Sequence, residues 1–316
     1  MKKILITGSC GFIGSNFVRY ATYNKLPYQI SSVDKLVYQH SKNNLYINKD
    51  HNFYMGDISD FHFMKNVFEL EKPHIVINFA AETHVDQSIE NPLNIIDVNV
   101  KGTQVLLDLA VKNKIEKFVQ VSTDEVYGHL NDGDKPWTEE DKTNPRNPYS
   151  ASKLGAEHLV RACHNTFGLN YIITRSCNNF GIRQSTRNLI PKIIKNVSAS
   201  EVMPIYGTGM NVREWISAED HVAAILKILD SDKTNETFNI STGWEISNLE
   251  MFHLVTGFLN KGHDLIRFVQ DRPGHDFRYA IDNAKLVALG WKPSASFKKQ
   301  LERAVNWYGN NQWFLR

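Results

Sequence analysis

The sequence predicts an α/β fold, a parallel sheet covered by helices on both faces, with a smaller mixed α/β lobe attached. Three observations carry that expectation. Through residue 175, short and nearly continuous apolar runs alternate with helical patterns, as expected for strands buried on both faces and joined by right-handed βαβ crossovers. The first of these runs feeds straight into a glycine-rich turn. Beyond residue 176 the alternation loses its regularity, which points to a unit of different construction.

In chain order, Ile4–Thr7, Ile30–Val33, Ile75–Phe79, Phe118–Val121 and Tyr171–Thr174 read as strands, and 93–113 and 149–167 as helices. Residues 128–148, GHLNDGDKPWTEEDKTNPRNP, are polar, rich in turn formers and without apolar period. They predict a long loop, either a lid over a site or a surface excursion, with Glu139, Glu140 and Asp141 solvated. Ser217 with Asp220 and Ser247 with Glu250 have the spacing of helix capping boxes, and a last helix is expected over 296–309. The expected partition places 1–176 plus about 212–242 in a dinucleotide-binding domain, and about 177–211 plus 243–316 in a substrate lobe.

Composition narrows the function. A net charge of +2 with scattered Lys and Arg argues against nucleic-acid or membrane-surface binding. The three cysteines, Cys10, Cys163 and Cys177, form no C-x-x-C and leave one unpaired in any scheme, which favours a reducing compartment. No run approaches 18 apolar residues, and Ile4-Leu5-Ile6 is too short for a signal peptide, so a cytoplasmic location is expected. Twelve histidines without metal-ligand spacing give no reason to expect a metal.

Gly8-Ser9-Cys10-Gly11-Phe12-Ile13-Gly14 follows the first strand and opens a helix. Glycines let the backbone approach a pyrophosphate, and the helix N-terminus offers unpaired N–H groups and a positive dipole end. One more residue separates the first two glycines than in the usual G-x-G-x-x-G. Asp34 ends the second strand, where an acid accepts from an adenosine ribose and repels a 2′-phosphate. A Rossmann-type, doubly wound sheet binding NAD is therefore expected, with the adjacent Lys35 tempering the preference over NADP.

Tyr149 and Lys153 stand four residues apart behind Asn147-Pro148, a good helix entrance. On one helix face, a cation beside a phenol is expected to lower its pKa and prepare it to take a proton from an alcohol. Thr123 is placed to help hold that alcohol. Tyr38 and Lys42 share the spacing but lie in a polar stretch and read as surface. In Val121-Ser122-Thr123-Asp124-Glu125 an apolar strand meets two acids, either a solvated turn or a paired acid and base. Both acids face one site only if the chain leaves the strand near Thr123, because successive side chains in a strand point to opposite faces.

Several stretches together resemble the extended short-chain dehydrogenase/reductases: T-G-x-x-G-F-I-G, Ala80-Ala81-Glu82, Asn99-x-x-Gly102-Thr103 and Y-x-x-x-K. Thr123-Asp124-Glu125-Val126-Tyr127-Gly128, Ala80 to Asp86, Asn178-Asn179, Arg213 in VREW and RPGHDFRYAID from Arg272 to Asp282 narrow the resemblance to nucleotide-sugar 4,6-dehydratases acting on dTDP-glucose or UDP-glucose. The resemblance implies NAD-dependent oxidation at C4 by Tyr149, loss of the C5 proton to Glu125, protonation of the leaving C6 hydroxyl by Asp124, and hydride return to C6. It implies substrate contacts at His84, Ser122, Thr123, Asn178, Asn179, Arg213, Asn248, Arg272 and His275. The expected cofactor contacts are Gly8, Gly11, Phe12, Ile13, Gly14, Asp34, Lys35, Asp57, Ile58, Ala80, Ala81, Asn99, Tyr149 and Lys153. It also implies a homodimer built from the 93–113 and 149–167 helices. One strip departs from the family, since Arg187-Asn188 precedes Leu189-Ile190-Pro191 where a Glu-Lys pair is usual. A 4-epimerase, a UDP-glucuronate decarboxylase and an NAD-sensing binding protein are the alternatives, and Asp124 is the discriminating residue among the enzymes.

Overall fold

The computed structural model describes residues 1–47, 51–84, 89–271 and 276–315. Seven parallel strands form the main sheet: β1 (Lys2–Thr7), β2 (Tyr28–Asp34), β3 (His51–Met55), β4 (Ile75–Asn78), β5 (Lys117–Thr123), β6 (Tyr171–Ser176) and β10 (Glu236–Ile240). Their spatial order is β10-β6-β5-β4-β1-β2-β3. Chain direction across the sheet reverses between β1 and β4, which leaves a crevice at the carboxyl ends of the strands there. β3 and β10 escape the apolar-run criterion because they are edge strands with polar residues, HNFYM and ETFNI.

Alternation along the strands feeds two hydrophobic layers. Ile4 and Ile6 pack on one face with Phe17, Ile225 and Phe238, while Leu5 enters the other with Phe68, Leu106 and Phe118. A third cluster, including Ile193, Phe252 and Leu301, lies under the helices Leu189–Ser198, Asn248–Leu259 and Phe297–Asn310. Beside it are the three-stranded sheet β11-β9-β7 (Glu245–Ser247, Val212–Ser217, Asn178–Phe180) and the pair β12-β8 (Ile266–Val269, Met203–Tyr206).

Local signals behave as their chemistry requires. Ser217 accepts from Asp220 N, and Ser247 and Glu250 exchange both bonds of a capping box. Asn147 opens the helix Pro148–Phe167 in the same reciprocal way with Ser150. The stretch expected as one helix over 93–113 is a continuous rod with a wide π turn, Asp97–Gly102, between Pro92–Ile96 and Thr103–Lys112.

Loop 128–148 is a pinned strap. Leu130 bridges to Arg278 and Trp137 to Ile281, and the Trp137 ring stacks on Tyr127. The expectation that Glu139 is solvated is overturned, because its Oε1 accepts from Asn239 N at 2.7 Å. The strap thereby satisfies an edge-strand N–H that would otherwise face outward.

Candidate active site

A cleft of about 670 Å³ opens at the carboxyl edge of the main sheet and runs towards the smaller sheets. Gly8, Gly11, Phe12, Ile13 and Gly14 line one end with Asp34, Lys35, Asp57, Ile58, Ala80 and Ala81. The glycines are sterically required. Gly8 has φ +68°, and a Cβ there would stand 2.6 Å from Ala80 N; a Cβ on Gly14 would stand 2.2 Å from Gly8 O. Such a turn fits a pyrophosphate approached by backbone amides.

The extra residue of the glycine motif has a structural use. Cys10 N donates to Asp34 Oδ2 at 2.9 Å and Leu36 N to Oδ1 at 2.8 Å, so one carboxylate ties the turn to the end of β2. Burial pushes the Asp34 pKa up, against these donors. Lys35 pairs with Asp57 at 2.6 Å, which engages the cation that tempered the preference for NAD.

Asn99 is not among the lining residues. Its side chain accepts from Glu82 N at 2.8 Å and donates to Glu82 O and Ser152 Oγ. It therefore braces the loop after β4 against the catalytic helix from behind, rather than lining the cofactor end. Gly102, one turn on, lets Ile58 pack closely, since a Cβ there would lie 2.6 Å from Ile58 Cδ1.

The strand β5 ends at Thr123, and Asp124–Val126 form one 3-10 turn. This break brings Asp124 and Glu125 to the same cleft as Ser122, Thr123, Tyr149 and Lys153. Asp124 is 3% exposed; its Oδ1 accepts from Thr123 Oγ1 at 3.2 Å, and its Oδ2 has no partner among the described residues. Burial, then the charges of Glu125 and Glu214, push its pKa well above the carboxylate range. Glu125 is half-buried and accepts from Asn147 Nδ2 at 3.3 Å. The two acids thus occupy different environments, as a split acid and base must.

One expectation is reversed. Burial and Glu125 push the Tyr149 phenol up rather than down, with a hydrogen bond to Thr123 pulling the other way. Lys153 Nζ is engaged 2.6 Å from Val121 O, and burial brings its own pKa down to about 8.

His84, Asn178, Asn179, Arg213 and Asn248 line the other end of the cleft. Arg272 and His275 lie outside the described residues. The Asn179 amide is turned into the frame, donating to Ser176 Oγ and Cys177 O while Oδ1 contacts His221 Nδ1 at 2.8 Å. Burial takes His221 down to about 3, so it is a neutral ring. Arg213 donates to the carbonyls of Val212, Asp276 and Phe277, and its guanidinium lies 4.5 Å over Tyr279. Tyr38, expected at the surface, instead lines the cleft, donates to Glu82 Oε2 at 2.6 Å and carries Arg187 over its ring.

Glu214 was not foreseen, although it follows Arg213 directly. It is 1% exposed and accepts from the backbone N–H groups of Thr242, Gly243 and Ile281. Its charge adds to burial and Glu125 in pushing the Asp124 pKa up. Arg146, Asp276 and Tyr279 also line the cleft; they lie in the stretches NPRNP and RPGHDFRY.

A glycine cradle with an acid at the end of β2, opposite a Tyr-x-x-x-Lys helix, defines a nicotinamide-nucleotide enzyme of the extended short-chain dehydrogenase/reductase class. The family described as GDP-mannose 4,6 dehydratase matches residues 5–304. The low-salt glycan biosynthesis protein Agl12 of Haloferax volcanii is 46% identical, covering 96% of this chain and 98% of that one. The dTDP-glucose 4,6-dehydratase of Haemophilus influenzae is 39% identical, covering 98% of each. The crystal structure of DesIV, a dTDP-glucose 4,6-dehydratase of Streptomyces venezuelae with NAD bound, superposes with a TM-score of 0.93 at 37% identity, covering 99% of this chain and all of that one. The chain belongs to the nucleotide-sugar 4,6-dehydratase family.

Proposed function

We propose that the protein removes water from a nucleoside-diphosphate glucose, dTDP- or UDP-glucose, yielding the 4-keto-6-deoxy sugar as in rhamnose-type deoxysugar synthesis. The observation that carries this reading is the turn at the end of β5. It places a buried Asp124, whose pKa burial pushes up, and a half-buried Glu125 on the cleft that also holds Tyr149. A 4-epimerase needs the tyrosine but not that acidic pair.

NAD, when bound, supplies the hydride acceptor and donor. Tyr149 takes the C4 hydroxyl proton as its phenolate, a form that the Lys153 ammonium and a bound nicotinamide cation would favour against burial, and Thr123 holds that hydroxyl in line. Once C4 is a ketone, the C5 hydrogen is acidic and Glu125 removes it. Asp124 delivers a proton to the C6 hydroxyl, so that water leaves rather than hydroxide. Glu214 acts through charge, opposing ionisation of Asp124. Arg213 offers a guanidinium suited to the diphosphate. Residues 1–176 plus about 212–242, which hold β1 to β6 and β10, serve as the NAD domain, and about 177–211 plus 243–316 as the sugar-nucleotide lobe.

The test is incubation of the purified protein with NAD and either dTDP-glucose or UDP-glucose, followed by detection of a 4-keto-6-deoxy product by mass and by its alkali-dependent absorbance. The expected result is loss of one water with no net change in cofactor. Inversion at C4, or loss of carbon dioxide from UDP-glucuronate, would place the chain with its epimerase or decarboxylase relatives instead.

A further inference from the structure

We infer that Arg146 is a positioning residue that couples the diphosphate end of the cleft to the proton-abstracting carboxylate. The inference rests on the dehydratase reading and concerns a residue to which the family motifs assign nothing.

The strap ends at Arg146-Asn147-Pro148, and Arg146 Nη1 donates to Asp276 Oδ1 at 2.6 Å. Asp276 is 3% exposed and its Oδ2 accepts from the Tyr279 hydroxyl. His129 Nδ1 lies 3.8 Å from the same carboxylate, but that nitrogen accepts from Phe277 N at 3.1 Å and so carries no proton. Among the described residues Arg146 therefore supplies the cation that a buried carboxylate requires.

Two rigid connections run outward from this pair. On one side, the Asp276 carbonyl accepts from Arg213 Nη2 at 3.0 Å, and Tyr279 lies under the same guanidinium. The position of Asp276 thus helps set the direction of Arg213. On the other side, Asn147, bonded to Arg146 through the chain, caps the helix that carries Tyr149 and donates to Glu125 Oε2. A diphosphate held by Arg213 thereby meets a framework whose far end aims Glu125 at C5.

The test uses holoenzyme with Arg146→Met, Arg146→Gln and Arg146→Lys, and whichever of dTDP-glucose or UDP-glucose the wild type converts. Misplacing a catalytic group by about 1 Å costs about 10²-fold. Arg146→Met is expected to lose about that factor in kcat, while calorimetric affinity for the free nucleoside diphosphate changes less than about threefold. Reduced cofactor should accumulate on substrate addition, since C4 oxidation still proceeds while elimination stalls. Arg146→Lys should recover most of the rate, and Arg146→Gln gives the same reading if the methionine variant fails to fold. Unchanged turnover overturns the inference, and so does a parallel fall in affinity and rate without accumulation of reduced cofactor. A wild type that forms no 4-keto product overturns the dehydratase reading itself, and this inference with it.

Discussion

Asp124 illustrates how a single side chain is set for its task by what surrounds it. Its raised pKa means that the folded protein keeps a proton that the unfolded chain sheds at about pH 4. Stability then falls as pH rises above that value, because the native state binds more protons than the unfolded one. Asp124→Asn carries no such penalty. Its melting temperature should exceed that of the wild type by a margin that widens with pH until Asp124 ionises in the native protein. Turnover should fall at the same time, since an amide cannot protonate the leaving hydroxyl. A margin independent of pH would remove burial as the cause. Glu125→Gln should differ in kind, losing about 10²- to 10⁴-fold in product formation while reduced cofactor builds up, because C4 oxidation does not need the base.

At the scale of elements, the decisive junction is the N-terminus of the helix Pro148–Phe167. Asn147 there does two things, accepting from Ser150 N and donating to Glu125. Asn147→Ala should lose the cap, at a cost of about 1 kcal/mol, together with the contact to the base. Asn147→Asp keeps the capping oxygen but sets a second carboxylate against Glu125. Its melting temperature should stay near wild type, while the acidic limb of the rate profile moves to higher pH. Denaturation curves and pH-rate profiles separate the two effects.

Much of this junction is legible from the residues alone. Asn-Pro before an amphipathic stretch signals the helix start, and two adjacent acids after an apolar run demand a break in the strand. Interior strands announce themselves because both faces are covered, whereas β3 and β10 are edges whose polar residues resemble loop. The ionisation of Tyr149 is not legible. It depends on how deeply the phenol is buried and on Lys153 turning to Val121 O, which are properties of tertiary packing. Nor is Tyr38, whose polar neighbours suggest solvent, although the fold lays it along the cleft. The strap has no periodicity because bridges to distant residues hold it.

For the whole molecule, a group of exposed apolar side chains stands on the outward face of the 89–112 region. Leu93 is 74% exposed, Ile89 52% and Ile96 49%. The resemblance implies a homodimer through the 93–113 and 149–167 helices, and these side chains offer the position at which to test it. Leu93→Glu should shift the protein to a monomer in light scattering and lower its melting temperature, while NAD affinity stays within a few fold. If the wild type is already monomeric at micromolar concentration, that assembly is excluded. Among the described residues no helix is long and apolar enough to cross a membrane.

The wide turn Asp97–Gly102 has one further consequence. A π turn accommodates an additional residue within an otherwise regular helix, so the rod on either side of it keeps its own packing while Asn99 is swung into reach of Glu82 and Ser152. Shortening the gene by one codon here should restore an unbroken α-helix at little expense to folding, yet sever that brace. A length change too small to disturb the architecture can therefore remove a contact that ties the loop after β4 to the helix bearing Tyr149.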